Sequence, residues 1–199
     1  MADSEGSWRK EDFRIGTVHS DLNVNKRSKE IKIRNDLFLI GMLRLFYSRN
    51  NYHYIRLVAY EMPLKAVQSR DKCIDLLGYD RDKTPWIIEL KSSDYSQKLE
   101  DVIRQINGYE KDFKKVRPFV EKEIRDKYLW PDFKFSDEIG KIILVHRTYY
   151  EKNPIKEYRD CNIKFCSFAY IEDVEKEGEI NLIKGDKKDR IITLRVENK

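Results

Sequence analysis

The sequence predicts a single α/β domain in which a mixed central β-sheet is flanked by helices. A chain of 199 residues fits one domain, and 40% hydrophobic residues supply enough apolar side chains for a core. Short runs of β-branched and aromatic residues alternate with segments of helical spacing. No linker-like stretch divides the chain. We therefore expect one domain over residues 1–199, with its core at about 35–146 and a strand-rich C-terminal extension at 147–199.

The first part of the chain predicts one helix and one strand. Residues 35–47 (NDLFLIGMLRLFY) are apolar on most sides, which is typical of a buried helix. Residues 52–60 (YHYIRLVAY) are rich in aromatic and β-branched side chains, which indicates a strand. The following Glu61-Met62-Pro63 is expected to end that strand. Residues 1–30 are polar and show no clear period.

The middle of the chain predicts a β-hairpin followed by two helices. Residues 73–79 (CIDLLGY) and 86–90 (WIIEL) have strand composition, and the polar DRDKTP run between them is typical of a turn. Ser93 and Asp94 can cap a helix from about residue 95 to 115, where apolar residues recur at helical spacing. Pro118 is expected to begin a second helix that ends near residue 128.

The last part of the chain predicts mostly strands. Residues 141–145 (KIILV) form a short apolar run between charges, as expected of a strand in the middle of a sheet. Residues 163–168 and 191–196 have strand composition, and residues 180–183 resemble a weaker strand. The order of helix, three strands, helical region and further strands predicts the mixed sheet.

Composition and spacing exclude several classes of protein. The formal net charge of +5 permits a polyanionic partner without requiring one. Three cysteines, an odd number, argue against a disulfide framework, and the scattered histidines lack the close pairs of a structural zinc site. The sequence contains neither a P-loop nor a GxSxG element. No apolar run is long enough to span a bilayer, and the first residues are polar, so we expect a cytoplasmic protein without a membrane partner.

Three charged residues inside the predicted hairpin are the main candidates for chemistry. Asp75 lies in one apolar strand, and Glu89 and Lys91 lie in the next, where residues two apart point to the same face. Buried charges are costly unless they are paired or bind a cation. Carboxylate oxygens are suitable ligands for Mg²⁺ or Mn²⁺, and a lysine beside them can hold a water or a phosphate oxygen. These parts fit metal-assisted attack of water on a phosphodiester.

The same residues resemble the D…ExK signature of the PD-(D/E)xK nuclease superfamily. Asp75 is followed fourteen residues later by Glu89-Leu90-Lys91. Ile74 stands where some members of the superfamily have proline. Gln105 and Tyr109, four apart on the predicted helix, resemble the QxxxY element of the RecB-like and Cas4-like branch. Glu61 stands where that branch often carries an upstream acid.

The resemblance implies a restriction-endonuclease-like core and a role for each matching residue. Asp75 and Glu89 would bind Mg²⁺ or Mn²⁺, with the Leu90 carbonyl and Glu61 as further ligands. Lys91 would orient the attacking water, and Gln105 would support the site by hydrogen bonding. The substrate would be nucleic acid, with DNA expected, contacted by Tyr109 and by the nearby basic side chains of Arg104 and Lys111. Paired subunits commonly cut both strands of a duplex, so a homodimer is one option that the resemblance leaves open.

Other interpretations of the same residues remain open. Asp75 could pair with Arg70 or Arg81 in a purely structural role, and the fold could serve a non-catalytic nucleic-acid-binding or scaffolding protein. The basic run around the predicted helix could be a solvated face. A set of tyrosines could stack on single-stranded bases, although their spacing favours core and strand packing; it comprises Tyr47, Tyr52, Tyr54, Tyr60, Tyr149 and Tyr150.

Overall fold

The computed structural model describes residues 8–17, 29–48, 51–65, 73–91, 97–153, 162–168 and 192–196. Within this part of the chain, helices and strands follow in the order α1 (Lys29–Ile40), β1 (Met42–Ser48), β2 (Asn51–Pro63), β3 (Cys73–Tyr79), β4 (Pro85–Lys91), α2 (Leu99–Tyr128), β5 (Gly140–His146), α3 (Arg147–Lys152), β6 (Lys164–Phe168) and β7 (Ile192–Val196). The weak strand predicted at 180–183 lies outside the described residues. None of the described helices combines the length and the apolar character needed to cross a membrane.

The strands are hydrogen-bonded in chain order and form a closed mixed sheet. Strands β1 to β4 are antiparallel, β5 and β6 continue in parallel from β4, and β7 runs antiparallel to β6. The parallel pairing of β7 with β1 closes the sheet into a ring. The predicted mixed α/β domain is thereby confirmed, while the closure of the sheet was not predicted.

Two buried clusters lie on opposite faces of the sheet. The inner cluster draws side chains from all seven strands, together with Leu37 and Phe38 of α1, so it fills the inside of the ring. The outer cluster packs the other sheet face against α2 and the segment around Phe13. Strand β4 serves both clusters, because Ile87 belongs to the outer one while Ile88 and Leu90 belong to the inner one.

The prediction of one buried helix over residues 35–47 is wrong. Helix α1 begins earlier, at Lys29, and ends at Ile40, and residues 42–48 form strand β1. Gly41 has a left-handed φ of 81° that ends the helix, and its N–H donates to the Leu37 carbonyl. Apolar residues lie on both sides of Gly41, at 37–40 and at 42–43 and 45–47, because α1 packs on the ring and β1 is part of it. The sequence pattern therefore does not separate the two elements.

The predicted boundary at Pro118 is also wrong, because α2 is one helix of 30 residues. Pro118 has no N–H to donate to the carbonyl of Lys114, which usually weakens a helix interior. Here the buried stripe of the helix runs without interruption across the proline, from Val102 and Phe113 to Val120 and Ile124. Packing of that stripe on the sheet outweighs the lost hydrogen bond. The helix ends instead at Leu129, which is left-handed with a φ of 51°.

Replacing Gly140 with alanine is expected to lower the free energy of unfolding by about 1–3 kcal/mol. Gly140 is the register partner of Trp86, and a Cβ there would overlap the Cδ2 and Cε3 atoms of the indole. The indole cannot easily move, because its Nε1 donates to the buried Asp80 carboxylate at 2.9 Å. Urea denaturation measures the effect.

Gly108→Ala is the matched control for this prediction. Gly108 lies in α2, and no heavy atom lies within 4 Å of the place that an added Cβ would take, so alanine is expected to stabilise the helix by about 0.5–1 kcal/mol. An unchanged urea midpoint for Gly140→Ala would show that the hydrogen bond to Asp80 does not hold the Trp86 ring in place.

Candidate active site

Side chains from α1 and from strands β2, β3 and β4 converge at one end of the hairpin, next to α2. The three residues singled out by the sequence, Asp75, Glu89 and Lys91, are brought together there, as the cross-strand geometry predicts. Glu61 and Arg34 join the same group. The charges therefore form one cluster rather than separate surface ion pairs.

Glu89 and Lys91 form a buried ion pair on β4. The Lys91 Nζ donates to Glu89 Oε1, and the two side chains are 5% and 1% exposed respectively. The other carboxylate oxygen, Glu89 Oε2, is buried and has no hydrogen-bond partner among the described residues. Burial raises the pKa of Glu89 well above its ordinary value, and the nearby charge of Asp75 raises the pKa further, while Lys91 opposes both effects.

Asp75 lies where β3 separates from β4. Register partners between the two strands run from Tyr79 to Leu76 and stop before Asp75. Its Oδ2 instead accepts from the Leu90 N–H at 2.9 Å, in place of a backbone carbonyl. The N–H and C=O of a strand residue point to the same neighbouring strand, so the Leu90 carbonyl faces the Asp75 side as well. That orientation suits its predicted place beside the two acids.

Glu61 belongs to strand β2, which continues to Pro63 instead of ending at residue 60 as predicted. The pairs Tyr60↔Leu76 and Met62↔Ile74 place Glu61 across from Asp75. Glu61 has a left-handed φ of 45°, which is rare for a residue other than glycine and costs on the order of 1–3 kcal/mol. Such strain persists only where other contacts hold the residue, and here two arginines contact its carboxylate.

Arg34 is the site residue that sequence reasoning missed. It is 7% exposed, its Nη1 donates to Asp75 at 3.2 Å, and its Nη2 donates to Glu61. Its Nε is buried and has no hydrogen-bond partner in the described part of the chain. Glu30, one helical turn earlier, adds to the negative field at Glu89. The sequence signal for this residue was the spacing of Glu30 and Arg34, which are four apart and therefore share one face of a helix.

Asp75 therefore has an arginine partner, but not one that the sequence suggested. Arg81 is exposed, and Arg70 lies outside the described residues. A second arginine reaches the cluster from the N-terminal segment, where Arg14 Nη1 lies 3.6 Å from Glu61. The two arginines of the cluster thus come from elements distant in sequence from the hairpin, whereas Lys91 belongs to the hairpin itself.

Helix α2 supplies Gln105 and Tyr109 to the edge of the cluster. The Gln105 Nε2 donates to the Tyr109 hydroxyl at 2.7 Å, so the two residues act as a connected pair. Tyr109 is buried in the outer core cluster, and burial raises the pKa of its phenol, with the negative charge of Glu89 adding to the increase. The phenol is thus a neutral hydrogen-bonding group rather than a phenolate.

Arg104 and Lys111 are not brought into the cluster. Both are exposed on α2, and Arg104 pairs with Asp101 one turn earlier. Other members of the basic run also pair locally, since Lys114 contacts Glu110 and Arg117 contacts Glu121. Contact of Arg104 and Lys111 with substrate stays a prediction.

The donor atoms of the cluster fit a divalent cation in part. Within the described ranges, no group of three or more His, Cys, Asp or Glu side chains is arranged to hold a metal ion. The two carboxylates of Asp75 and Glu89, with the Leu90 carbonyl, are nevertheless oxygen ligands of the kind that Mg²⁺ and Mn²⁺ prefer. The unpartnered Glu89 Oε2 is the observation that fits such a cation, because a buried carboxylate oxygen without a partner is costly. Arg34 supplies positive charge to Asp75 and Glu61.

Comparisons of the chain with protein-family models, with curated proteins and with solved structures each found no match. The function of the cluster is therefore inferred from its own residues.

Proposed function

We propose that this protein is a metal-dependent nuclease that hydrolyses phosphodiester bonds of DNA, with Mg²⁺ or Mn²⁺ as its cofactor. The observation that carries the proposal is the buried Glu89–Lys91 pair next to Asp75, in which one carboxylate oxygen has no hydrogen-bond partner among the residues that the structure describes. A structural ion pair satisfies its own oxygens. Here one carboxylate oxygen of Glu89 is left over, and a second acid, Asp75, lies beside it, which is an arrangement that can bind a cation.

Each residue of the cluster has a distinct role in the proposed reaction. Asp75, Glu89 and the Leu90 carbonyl would hold the metal, which supplies Lewis-acid stabilisation of the phosphate oxygens when bound. Lys91 donates hydrogen bonds only, so it orients the attacking water and stabilises negative charge that develops on the phosphate. Gln105 and Tyr109 form a hydrogen-bonded support on α2.

A second candidate function is non-catalytic nucleic-acid binding, and Arg34 favours it. The guanidinium bridges Asp75 and Glu61, so these acids already have an internal cation. In that case the cluster would stabilise the fold without turnover. The two candidates differ in whether divalent metal binds the cluster.

The test combines metal titration with a cleavage assay. Calorimetric titration of Mn²⁺ is expected to detect binding to the wild type and none to Asp75→Asn. With Mg²⁺ or Mn²⁺ present, the wild type is expected to cleave DNA oligonucleotides, whereas Lys91→Ala loses at least about 10²-fold in rate. RNA is tested in parallel to define the substrate.

Asp137→Asn is the matched acid control, because Asp137 is fully exposed and outside the cluster. It is expected to bind Mn²⁺ and cleave like the wild type. Cleavage by Lys91→Ala at the wild-type rate would refute the assigned mechanism. Absence of Mn²⁺ binding both with and without oligonucleotide would favour the non-catalytic candidate.

A further inference from the structure

The outer face of the β1–β2 hairpin carries two exposed tyrosines that the candidate site does not use. Tyr52 and Tyr54 are 41% and 46% exposed, while Ile55 and Leu57 on the opposite face are buried. Tyr60, by contrast, packs in the inner cluster, and Tyr47 is half-buried beside it. The expectation that these tyrosines serve packing is therefore met by Tyr60 but not by Tyr52 and Tyr54.

This face continues the one that α2 covers elsewhere in the sheet. Arg56 lies over the ring of Tyr128 near the end of α2, at 5.4 Å from the ring centroid. The register partner of Arg56 is Tyr79, which belongs to the outer core cluster. From Tyr79 across to Arg56, Tyr54 and Tyr52 the same face changes from buried to solvent-exposed.

Arginine alternates with tyrosine on this face. Arg44 of β1 is the register partner of Tyr54, and its guanidinium lies 4.9 Å from the centroid of the Tyr52 ring. Residues 42–60 include three arginines and no aspartate or glutamate, although acidic residues make up 35 of the 199 in the chain. The hairpin is thus a basic strip within a chain of mixed charge, and its charge complements a polyanion.

We propose that this face, formed by Arg44, Tyr52, Tyr54 and Arg56, binds single-stranded nucleic acid. Exposed aromatic rings stack on bases, and arginines beside them contact phosphates and stack in turn. Tyr52 and Tyr54 are two residues apart on a strand, so their Cα atoms are separated by about 7 Å, roughly twice the base spacing along a duplex strand. Two consecutive bases can engage both rings only when they are unstacked from each other, which a single strand allows and a duplex does not.

The face lies at the opposite end of β2 from the acidic cluster. Tyr52 is nine residues before Glu61, a distance of about 30 Å along an extended strand. A strand bound on the face could extend toward the cluster, so the inference deepens the proposed function by naming an unpaired strand as ligand. Binding on this face does not require hydrolysis, and the two proposals are tested separately.

The test measures binding of fluorescent oligo(dT) by anisotropy in the presence of a metal chelator, so that cleavage plays no part. The wild type is expected to bind oligo(dT) more tightly than a duplex of equal length. The Tyr52→Ala/Tyr54→Ala double variant is expected to bind at least about tenfold more weakly, since each stacked base contributes to affinity. Tyr52→Phe/Tyr54→Phe keeps both rings and is expected to bind like the wild type.

Leu129→Ala is the control, because Leu129 is a highly exposed apolar residue in the turn after α2. This variant is expected to bind oligo(dT) with the affinity of the wild type. Arg44→Ala is expected to reduce the salt dependence of binding and provides a second readout if the alanine double variant does not fold. Wild-type affinity in the alanine variant, equal loss in the phenylalanine variant, a preference for duplex, or no binding by the wild type would each overturn the proposal. Self-association that is abolished by the alanine variant, without oligonucleotide binding, would identify a second copy of the chain as the occupant instead.

Discussion

Replacing Arg34 with methionine is expected to lower the free energy of unfolding of the metal-free protein by about 3 kcal/mol. Methionine keeps most of the side-chain volume but removes the cation that bridges Asp75 and Glu61. Removing one partner of a buried ion pair typically costs about 3–5 kcal/mol, because the remaining charge is left uncompensated. The lower end is expected here, since Glu61 is 39% exposed and can be hydrated. Chemical denaturation at neutral pH measures the change.

Arg104→Met is the matched control for this experiment. Arg104 also pairs with an aspartate, but its side chain is 77% exposed, and surface pairs contribute about 0–1 kcal/mol. A stability loss for Arg34→Met no larger than that of Arg104→Met would show that the bridge does not hold the cluster together.

The same variant also separates the two candidate functions. If Asp75 and Glu89 bind a divalent cation, Mn²⁺ is expected to restore stability to Arg34→Met, because the metal replaces the lost positive charge. Binding to the folded state at 100 times the dissociation constant stabilises by about 2.7 kcal/mol, which is close to the expected loss. An unrescued variant would favour the structural, non-catalytic role of the acids.

Replacing the Glu89–Lys91 pair by neutral side chains of similar size is expected to stabilise the protein and to abolish cleavage. The Glu89→Gln/Lys91→Met variant removes two almost fully buried charges together. Such replacements often increase the free energy of unfolding by about 1–4 kcal/mol, because desolvation of the ions is no longer required. Lys91→Met alone is expected to lower the free energy of unfolding, since it leaves the Glu89 charge without its cation.

The stability change of the double variant depends on pH in a defined direction. Burial raises the pKa of Glu89 in the folded protein above its ordinary value of 4.5, so the folded state binds the proton more tightly than the unfolded chain. The contribution of Glu89 protonation to the free energy of unfolding is therefore fully present below pH 4.5, and it is lost as the pH rises through the pKa of Glu89 in the folded protein. The advantage of the double variant is expected to grow from acidic to neutral pH.

Unfolding curves at several pH values, together with the DNA cleavage assay, measure both effects. Asp101→Asn/Arg104→Met neutralises an exposed pair on α2 and is expected to change neither stability nor its pH dependence appreciably. A double variant that is less stable than the wild type at neutral pH would mean that the Glu89–Lys91 pair stabilises the fold.

The hairpin and its charges were predictable because the information is local. The strand composition of β3 and β4 is visible in consecutive residues, and Asp75, Glu89 and Lys91 interrupt apolar strands where a charge needs a specific reason. The bounds of β3, Cys73–Tyr79, agree with the predicted 73–79. Strands β5, β6 and β7 were located within one residue of their ends for the same reason.

Features that depend on distant contacts were not predictable from the pattern. The end of α1 depends on a single left-handed Gly41 that has apolar residues on both sides, and continuity of α2 through Pro118 depends on packing against the sheet. Arg34 reaches Asp75 across 41 residues of sequence, which no local period encodes. Arg34 was therefore the part of the candidate site that the sequence concealed.

Closure of the ring by β7 has a consequence for how the chain folds during its synthesis. Residues 42–48 pair with residues 192–196, so β1 lacks one of its two neighbours until residue 196 has left the ribosome. Such long-range pairing slows folding, and an unpaired strand edge can associate with another chain in the meantime. Loss of β7 by truncation would leave two edges, on β1 and β6, permanently open. Aggregation of the nascent or shortened protein, rather than loss of the acidic cluster, is the failure that this topology favours.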